Sequence, residues 1–444
     1  MKRTELLKTK YLIVGNSAGG IGASEAIREV DKVSPITIVS DEPYPAYSRP
    51  LISKYLTKER TLDGILFRSL DFYSQNNISS LLDKRIKRLD LESHTAELEN
   101  DEKIAWEKLL LATGGKPIIP RIEGLSKSGV FSFMTLDDAK AISEFLNSAS
   151  KAVVIGGGLI GISATEALVK RGIEVTVVEM KQRILNTILD EQGSLMAEEA
   201  LKQAGVRIIG GHTVSEISGE HSVREIILDN GERISCNLVV VAIGVVPRNE
   251  LAEGTEIRVN RGIAVDSQMT TSHPDVYSCG DVAEAYDFVY GTDRLTPIWP
   301  NAYIGGRIAG YNMSGTRAIY PGGTAMNSLN YFGLDISAAG IAIPPDNDGY
   351  EIISKQKDSV YQRVVLKDDL IVGMVFIEEI EKSGLVLSLM RDRVNVSSFK
   401  QALLSDDFGM VCLPRELWQE RLGVPPLLVY KPTIPDETED FIDE

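Results

Sequence analysis

The stretch that most constrains the fold runs from Lys151 to Met180, KAVVIGGGLIGISATEALVKRGIEVTVVEM. An apolar run, Ala152 to Ile155, reads as a buried strand. A glycine turn follows, then a helix with apolar residues at helical spacing and a second β-branched strand ending at Glu179. This is a βαβ unit suited to a dinucleotide. Gly156 permits the tight turn out of the strand, Gly158 lets the backbone approach a pyrophosphate, and Gly161 lets the helix lie close on the sheet. The pyrophosphate is expected at the helix N-terminus, where free N–H groups and the dipole favour an anion. Glu179 is placed to accept from a ribose 2'-hydroxyl and to repel a 2'-phosphate, which favours NAD over NADP. Lys181 and Arg183 pull the other way and keep NADP open.

The pattern occurs twice. Residues 11 to 41 give a strand YLIV, the turn GNSAGG, a helix through Arg28 and a strand ITIV that leads to Asp41 and Glu42. Gly15 and Gly20 hold the outer glycine positions and Ser17 the middle one, where its hydroxyl can itself donate to a phosphate. Asp41 is the expected ribose ligand, with Glu42 second. Two such units imply two nucleotides and electron transfer between them.

With 444 residues the chain is expected to form two or three domains. A formal net charge of -16 argues against nucleic acid or an anionic membrane surface as partner. The basic cluster Lys84, Arg85, Lys87 and Arg88 around Ile86 reads as a solvated strand edge. No run reaches the roughly 18 apolar residues of a membrane span, and the first ten residues lack a signal-peptide core. Cys236, Cys279 and Cys412 are few, odd in number and unpaired in sequence, as expected in the reducing cytoplasm, and they form no metal knuckle. The four histidines are scattered and read as surface or loop residues.

Between the two units lie a proline-broken loop, DEPYPAYSRPLISKYL at 41–56, in which Arg49 and Lys54 are the strong positive charges, and a β-rich stretch to Trp106. Then comes KLLLATGGKPIIP, with Thr113 and Gly114 at a strand end, and a helix at 136–148. Short strands with a turn at Asn230 and Gly231 follow the central unit, and LVVVAIGVVPRN closes it. GIAVDSQMTTSHPDVYSCGD ends on Gly280 and Asp281, and a helix begins near Pro300. From about Tyr320 the pattern changes to that of a separate α+β domain, with two strands turning at Lys367 to Leu370 and helices near 382–391 and 397–404. The acidic, proline-flanked end, PDETEDFIDE, is expected to be disordered.

Together the motifs resemble the pyridine nucleotide-disulfide oxidoreductase family: a flavin glycine turn, ATG, a nicotinamide glycine turn, AxGxxP, TSxPDVYAxGD and an interface domain, in that order. The resemblance spans nearly the whole chain. It implies an α/β architecture of two Rossmann-like dinucleotide-binding domains, the NAD domain (119–245) inserted in a discontinuous FAD domain (1–118 and 246–320). A C-terminal interface domain at 321–425 would form a homodimer, with an acidic tail at 426–444. The DEPYxxYxRPxxSK loop resembles the branch of rubredoxin reductases, ferredoxin reductases and the flavin module of nitrite reductase. There, residues matching Asp41, Arg49, Lys54 and Asp281 contact FAD, and the lysine lies near flavin N5. The implied cofactor-binding set adds Gly15, Ser17, Ala18, Gly20, Glu42, Ile86, Ala112, Thr113, Gly114, Gly280 and Ala302 for FAD. For the nicotinamide nucleotide it gives Gly156, Gly158, Leu159, Ile160, Gly161, Glu179 and Gly244.

Two departures matter. Disulfide-reducing members and the NADH oxidase branch carry redox cysteines in the segment matching residues 41–60, where this chain has none. A thiolate is the nucleophile in that chemistry, so thiol-disulfide exchange is disfavoured and Cys279 reads as structural. Many members also have a glutamate where Ser163 stands. Glu166, one helical turn on, should share its face, so Lys54, Ser163 and Glu166 form the candidate catalytic set, Lys54 being free to meet Ser163, water or the flavin edge. The expected activity is FAD-dependent oxidation of NADH by a carrier such as rubredoxin or ferredoxin, with no metal. The alternatives are an NADH oxidase using oxygen or peroxide, and a flavin-bound redox signalling protein with slow turnover.

Overall fold

The computed structural model describes residues 6–346, 348–414 and 417; the expected disordered tail lies outside them. Its centre is a pair of five-stranded, all-parallel sheets built to one plan. In the first, the strands run in the order Val276–Ser278, Lys108–Leu111, Tyr11–Val14, Ile36–Val39, Ile78–Leu81. In the second the order is Val130–Ser132, Leu238–Val241, Lys151–Ile155, Glu174–Glu179, Arg207–Gly210. Each βαβ unit therefore sits at the middle of its sheet, with its glycine turn at the carboxyl ends of the strands, where open α/β sheets bind ligands.

The central strand of each sheet is apolar and buried over four successive residues, Tyr11–Val14 and Ala152–Ile155, because both faces are covered. Tyr11 and Ile13 enter one core while Leu12 and Val14 enter another, and Ala152 and Val154 part from Val153 and Ile155 in the same way. The helices Ala18–Val30 and Leu159–Lys170 follow the turns. The first packs on Trp299–Met313 at unusually short range: a Cβ on Gly306 would stand 2.1 Å from the Gly19 carbonyl oxygen. That contact carries the start of the Trp299–Met313 helix to the first glycine turn.

Two short strands, Gly115–Pro117 and Val245–Pro247, pair antiparallel where the chain passes from one sheet to the other and back. The last sheet is antiparallel, ordered Met326–Tyr331, Leu334–Gly340, Leu370–Ile377, Val360–Lys367, Tyr350–Lys357, and is backed by the helix Ser383–Arg391. The hairpin at Lys367 to Leu370 is present, within five strands rather than two. The helix expected at 397–404 is absent: only a 3₁₀ turn, Lys400–Ala402, forms. Phe399, Leu403 and Leu404 are all buried there, a packing that outweighs the helical propensity of KQALL.

This sheet is fastened to the second parallel-sheet unit. Asp190, which caps the helix Glu191–Gln203, accepts from Tyr361 Oη at 2.6 Å and pairs with Arg363 at 3.0 Å. No helix among the described residues is long and apolar enough to cross a membrane.

Candidate functional site

The two glycine turns are near copies. Gly15 and Gly156 both adopt positive φ, +120° and +108°, as they leave their strands, and a Cβ on either would strike a carbonyl oxygen, that of Ala112 or of Ala242. The third glycines lie under the turns: a Cβ on Gly20 would meet the Gly15 carbonyl oxygen at 2.0 Å, and one on Gly161 would meet that of Gly156 at 1.9 Å. Gly20 and Gly161 are not among the residues that line the cavity. They set how closely each helix lies on its sheet. Gly158 instead faces open space, with nothing within 4 Å of where its Cβ would be. An extended ligand backbone fits there, and a side chain would occupy its path.

Both turns open into one cavity of about 1500 Å³, larger than the ~300–1,000 Å³ clefts of single small ligands. The other candidates from the sequence all line it: Ser17, Ala18, Asp41, Glu42, Arg49, Lys54, Ile86, Ala112, Thr113 and Gly114 toward the first turn, with Gly280, Asp281 and Ala302. Leu159, Ile160, Ser163, Glu166, Glu179 and Gly244 line it toward the second. The basic edge at Ile86–Asp90 is exposed as expected, yet Lys84, Arg85 and Lys87 also form part of the cavity rim.

Charges around the first turn are paired both locally and across a long sequence distance. Asp41 meets Arg248 at 2.5 Å. Burial alone would raise the Asp41 carboxyl, but the Arg248 hydrogen bond and charge leave it below the ordinary carboxylate range. Glu42 binds Arg49 and accepts from Tyr47 Oη at 2.6 Å. Asp281 is pushed up by burial against the opposing charge of Arg49. A carboxylate so desolvated is a strong acceptor for polyol hydroxyls.

At the second turn, Glu179 accepts from the Gly157 N–H at 2.7 Å and the Lys181 N–H at 2.8 Å. The carboxylate is thereby fixed, with lone pairs to spare for a ribose. Arg183 is turned away, toward Glu191 at 3.4 Å.

The candidate catalytic set is arranged differently from the sequence expectation. Lys54 meets neither Ser163 nor Glu166; it pairs with Glu59 at 3.1 Å. Glu59 also holds Lys170 at 3.0 Å, and Lys170 reaches Glu166 at 3.2 Å. Glu166 accepts from the Phe332 N–H at 3.2 Å. Ser163 bonds to Tyr331 Oη at 2.9 Å. Arg248, Glu59 and Tyr331 escaped the sequence reading. Of these, only Arg248 stood inside a quoted motif, directly after AIGVVP.

Cys279 is fully buried at the foot of the cavity, and burial pushes its thiol up to about 12. Cys236 is likewise pushed up to about 12 by burial. Neither is a thiolate near neutral pH. Among the described residues no cluster suits a metal ion, and the three cysteines are unpaired.

A family model described as pyridine nucleotide-disulphide oxidoreductase matches residues 9–306, and one described as rubredoxin NAD+ reductase C-terminal domain matches residues 326–394. The chain is 30% identical over 407 residues to the NADH-dependent phenylglyoxylate dehydrogenase subunit epsilon of Aromatoleum evansii, covering 90% of this chain and 96% of that protein. It is also 30% identical to the NADH-rubredoxin oxidoreductase of Clostridium acetobutylicum, over 82% of this chain and 89% of the relative. The crystal structure of NADH:rubredoxin oxidoreductase from Clostridium acetobutylicum superposes with a TM-score of 0.73 at 27% identity, over 88% of this chain and 97% of that one.

Proposed function

The chain belongs to the pyridine nucleotide-disulphide oxidoreductase family, and from that premise we propose that it oxidises NADH and reduces a small protein electron carrier such as a rubredoxin or ferredoxin. It is an FAD-dependent oxidoreductase. FAD supplies the chemistry when bound, accepting two electrons as hydride from NADH and releasing them onward. The observation that carries this reading is the single cavity shared by both glycine turns, with Lys54 on its wall and no cysteine in the segment 41–60.

The residues divide the work. Gly15, Ser17 and Ala18, at the start of the helix Ala18–Val30, cradle the FAD pyrophosphate, and Asp41 takes its ribose. Asp281 and Ala302 would hold the flavin's polyol side, and Arg49 fixes Glu42. Lys54, held in place by Glu59, would supply positive charge to the bound flavin. On the other side, Gly156, Gly158, Leu159 and Ile160 take the NADH pyrophosphate. Glu179 selects NADH, since its carboxylate is preset by two backbone N–H groups while Arg183 is engaged elsewhere.

The NADH oxidase alternative is disfavoured because the segment 41–60 has no cysteine. Unpaired cysteines fit a cytoplasmic location, and the antiparallel C-terminal sheet is the proposed homodimer surface, to be checked by light scattering. An anaerobic steady-state assay with NADH and rubredoxin or ferredoxin tests the function. NADH-dependent reduction of a carrier supports it, and oxygen consumption with no carrier reduced contradicts it.

A further inference from the structure

The C-terminal sheet ends on the strand Tyr350–Lys357, and among the described residues nothing pairs with its outer edge. A sheet edge presents unpaired N–H and C=O groups, a template for a further strand, and is usually kept short, bulged or broken by proline. This edge is none of these: it runs eight residues without proline and holds an unbroken register with Val360–Lys367. Lysine, the other common guard, stands at 355 and 357. Lys355 is engaged by Asp406, while Lys357 makes no ion pair among the described residues. Glu351, on the same face of the strand, holds Lys400 through one oxygen at 2.7 Å and has the other to spare.

We infer that two copies of this chain join edge to edge along Tyr350–Lys357, antiparallel about a twofold axis at Ser354, to make one continuous sheet. This register sets Glu351 opposite the partner's Lys357, and Ser354 opposite its own counterpart. Centred one residue earlier, on Ile353, the same pairing would set Glu351 opposite Lys355, whose charge Asp406 already takes. Opposite charges directly across an antiparallel pair attract, and the symmetry supplies the contact twice. The inference rests on the reading of the C-terminal sheet as the homodimer surface and names the contact.

Light scattering of the FAD-loaded protein at micromolar concentration should give a dimer. Lys357→Glu and Glu351→Lys each oppose like charges and should each weaken it by about five- to thirtyfold, followed by dilution. Mixed in equal amounts, the two variants regain both opposed pairs and should associate again, which also shows that each has folded. In a Cys412→Ser background, Ser354→Cys should link the two chains when oxidised with diamide. Opposed Cα atoms in an antiparallel pair stand ~4.5–5.5 Å apart, within reach of a disulfide, whereas Lys357→Cys should not link. The contact is overturned if Lys357→Glu leaves the dimer unchanged, if the mixture stays apart, or if Ser354→Cys fails to link; the homodimer reading then stands on another face. A monomeric wild type overturns both. Slow hydrogen exchange of the outer-edge amides in the charge-reversed monomer would put another segment of the same chain on this edge and overturn the inference as well.

Discussion

Lys54 is held by Glu59, 3.1 Å away, and through Glu59 and Lys170 it is linked to Glu166 on the helix Leu159–Lys170. Four alternating charges thus join the short helix Ile52–Leu56, after the first unit, to the helix of the second. Each pair is at least partly exposed except at Glu166, so the value of the chain lies in placing Lys54 rather than in stability. Replacing Lys54 by Met should slow flavin reduction by NADH at least about tenfold, by removing charge stabilisation at the reacting centre. Glu59→Gln should give a smaller loss, because Lys54 keeps its charge and loses only its anchor. Rapid-mixing absorbance of the flavin separates the two. Equal rates for wild type and Lys54→Met would remove the lysine from the mechanism.

The second and third glycines of the second glycine turn should fail in different ways. Ala at Gly161 would collide with the Gly156 carbonyl, and overpacking of this kind costs about 1–3 kcal/mol of stability, read as a lower urea midpoint. Ala at Gly158 meets no protein atom. The protein should stay within ~0.5 kcal/mol of wild type while NAD+ affinity drops. Equal stability loss in both variants would contradict the division between packing and ligand space.

Cys279 should prove dispensable for electron flow. With its thiol pushed up to about 12 by burial, iodoacetamide at pH 7 should leave it unmodified in the folded protein. Cys279→Ala should keep carrier reduction within about threefold, since a buried structural thiol acts as a small apolar group. Mass spectrometry of the alkylated protein and a carrier assay check this. Abolished reduction would restore a thiol to the mechanism.

The pairing of Asp41 with Arg248 predicts a pH effect. The Asp41 carboxyl lies below its ordinary value in the folded chain, so its contribution to stability is complete above the unfolded value of about 3.9. It is lost as pH falls through the lower folded value. Arg248→Ala removes the depressing charge and leaves burial, so the folded value rises and acid unfolding should begin at higher pH. A circular dichroism acid titration of both proteins reads the shift; coincident curves would show that the pair contributes nothing.

Much of this was legible in the sequence because it depends on local geometry. Gly15, Gly20, Gly156 and Gly161 stand where a carbonyl leaves no room for a Cβ, and such positions leave a fixed spacing in the chain. The covering of both faces likewise left the central strand stretches Tyr11–Val14 and Ala152–Ile155 uniformly apolar. Glu59, Tyr331 and Arg248 act through partners from five to over 160 residues away, or in the case of Arg248 over 200. Their meeting is decided by how whole elements dock, which no local periodicity records. Ser163 could be singled out as a departure, but its partner arrives on the edge strand of another sheet. The 397–404 segment misled for the related reason that tertiary burial of Phe399 and Leu403 outweighed local propensity.

The central claim, that one cavity passes electrons from NADH to a flavin, is tested most directly by anaerobic rapid mixing of the FAD-loaded protein with NADH. Flavin bleaching at about 1 per second or faster, the lower end of common turnover rates, with NADPH much slower, is the predicted result. Bleaching slower than about 0.1 per second, below that range, would contradict the claim and favour a slow redox signalling protein.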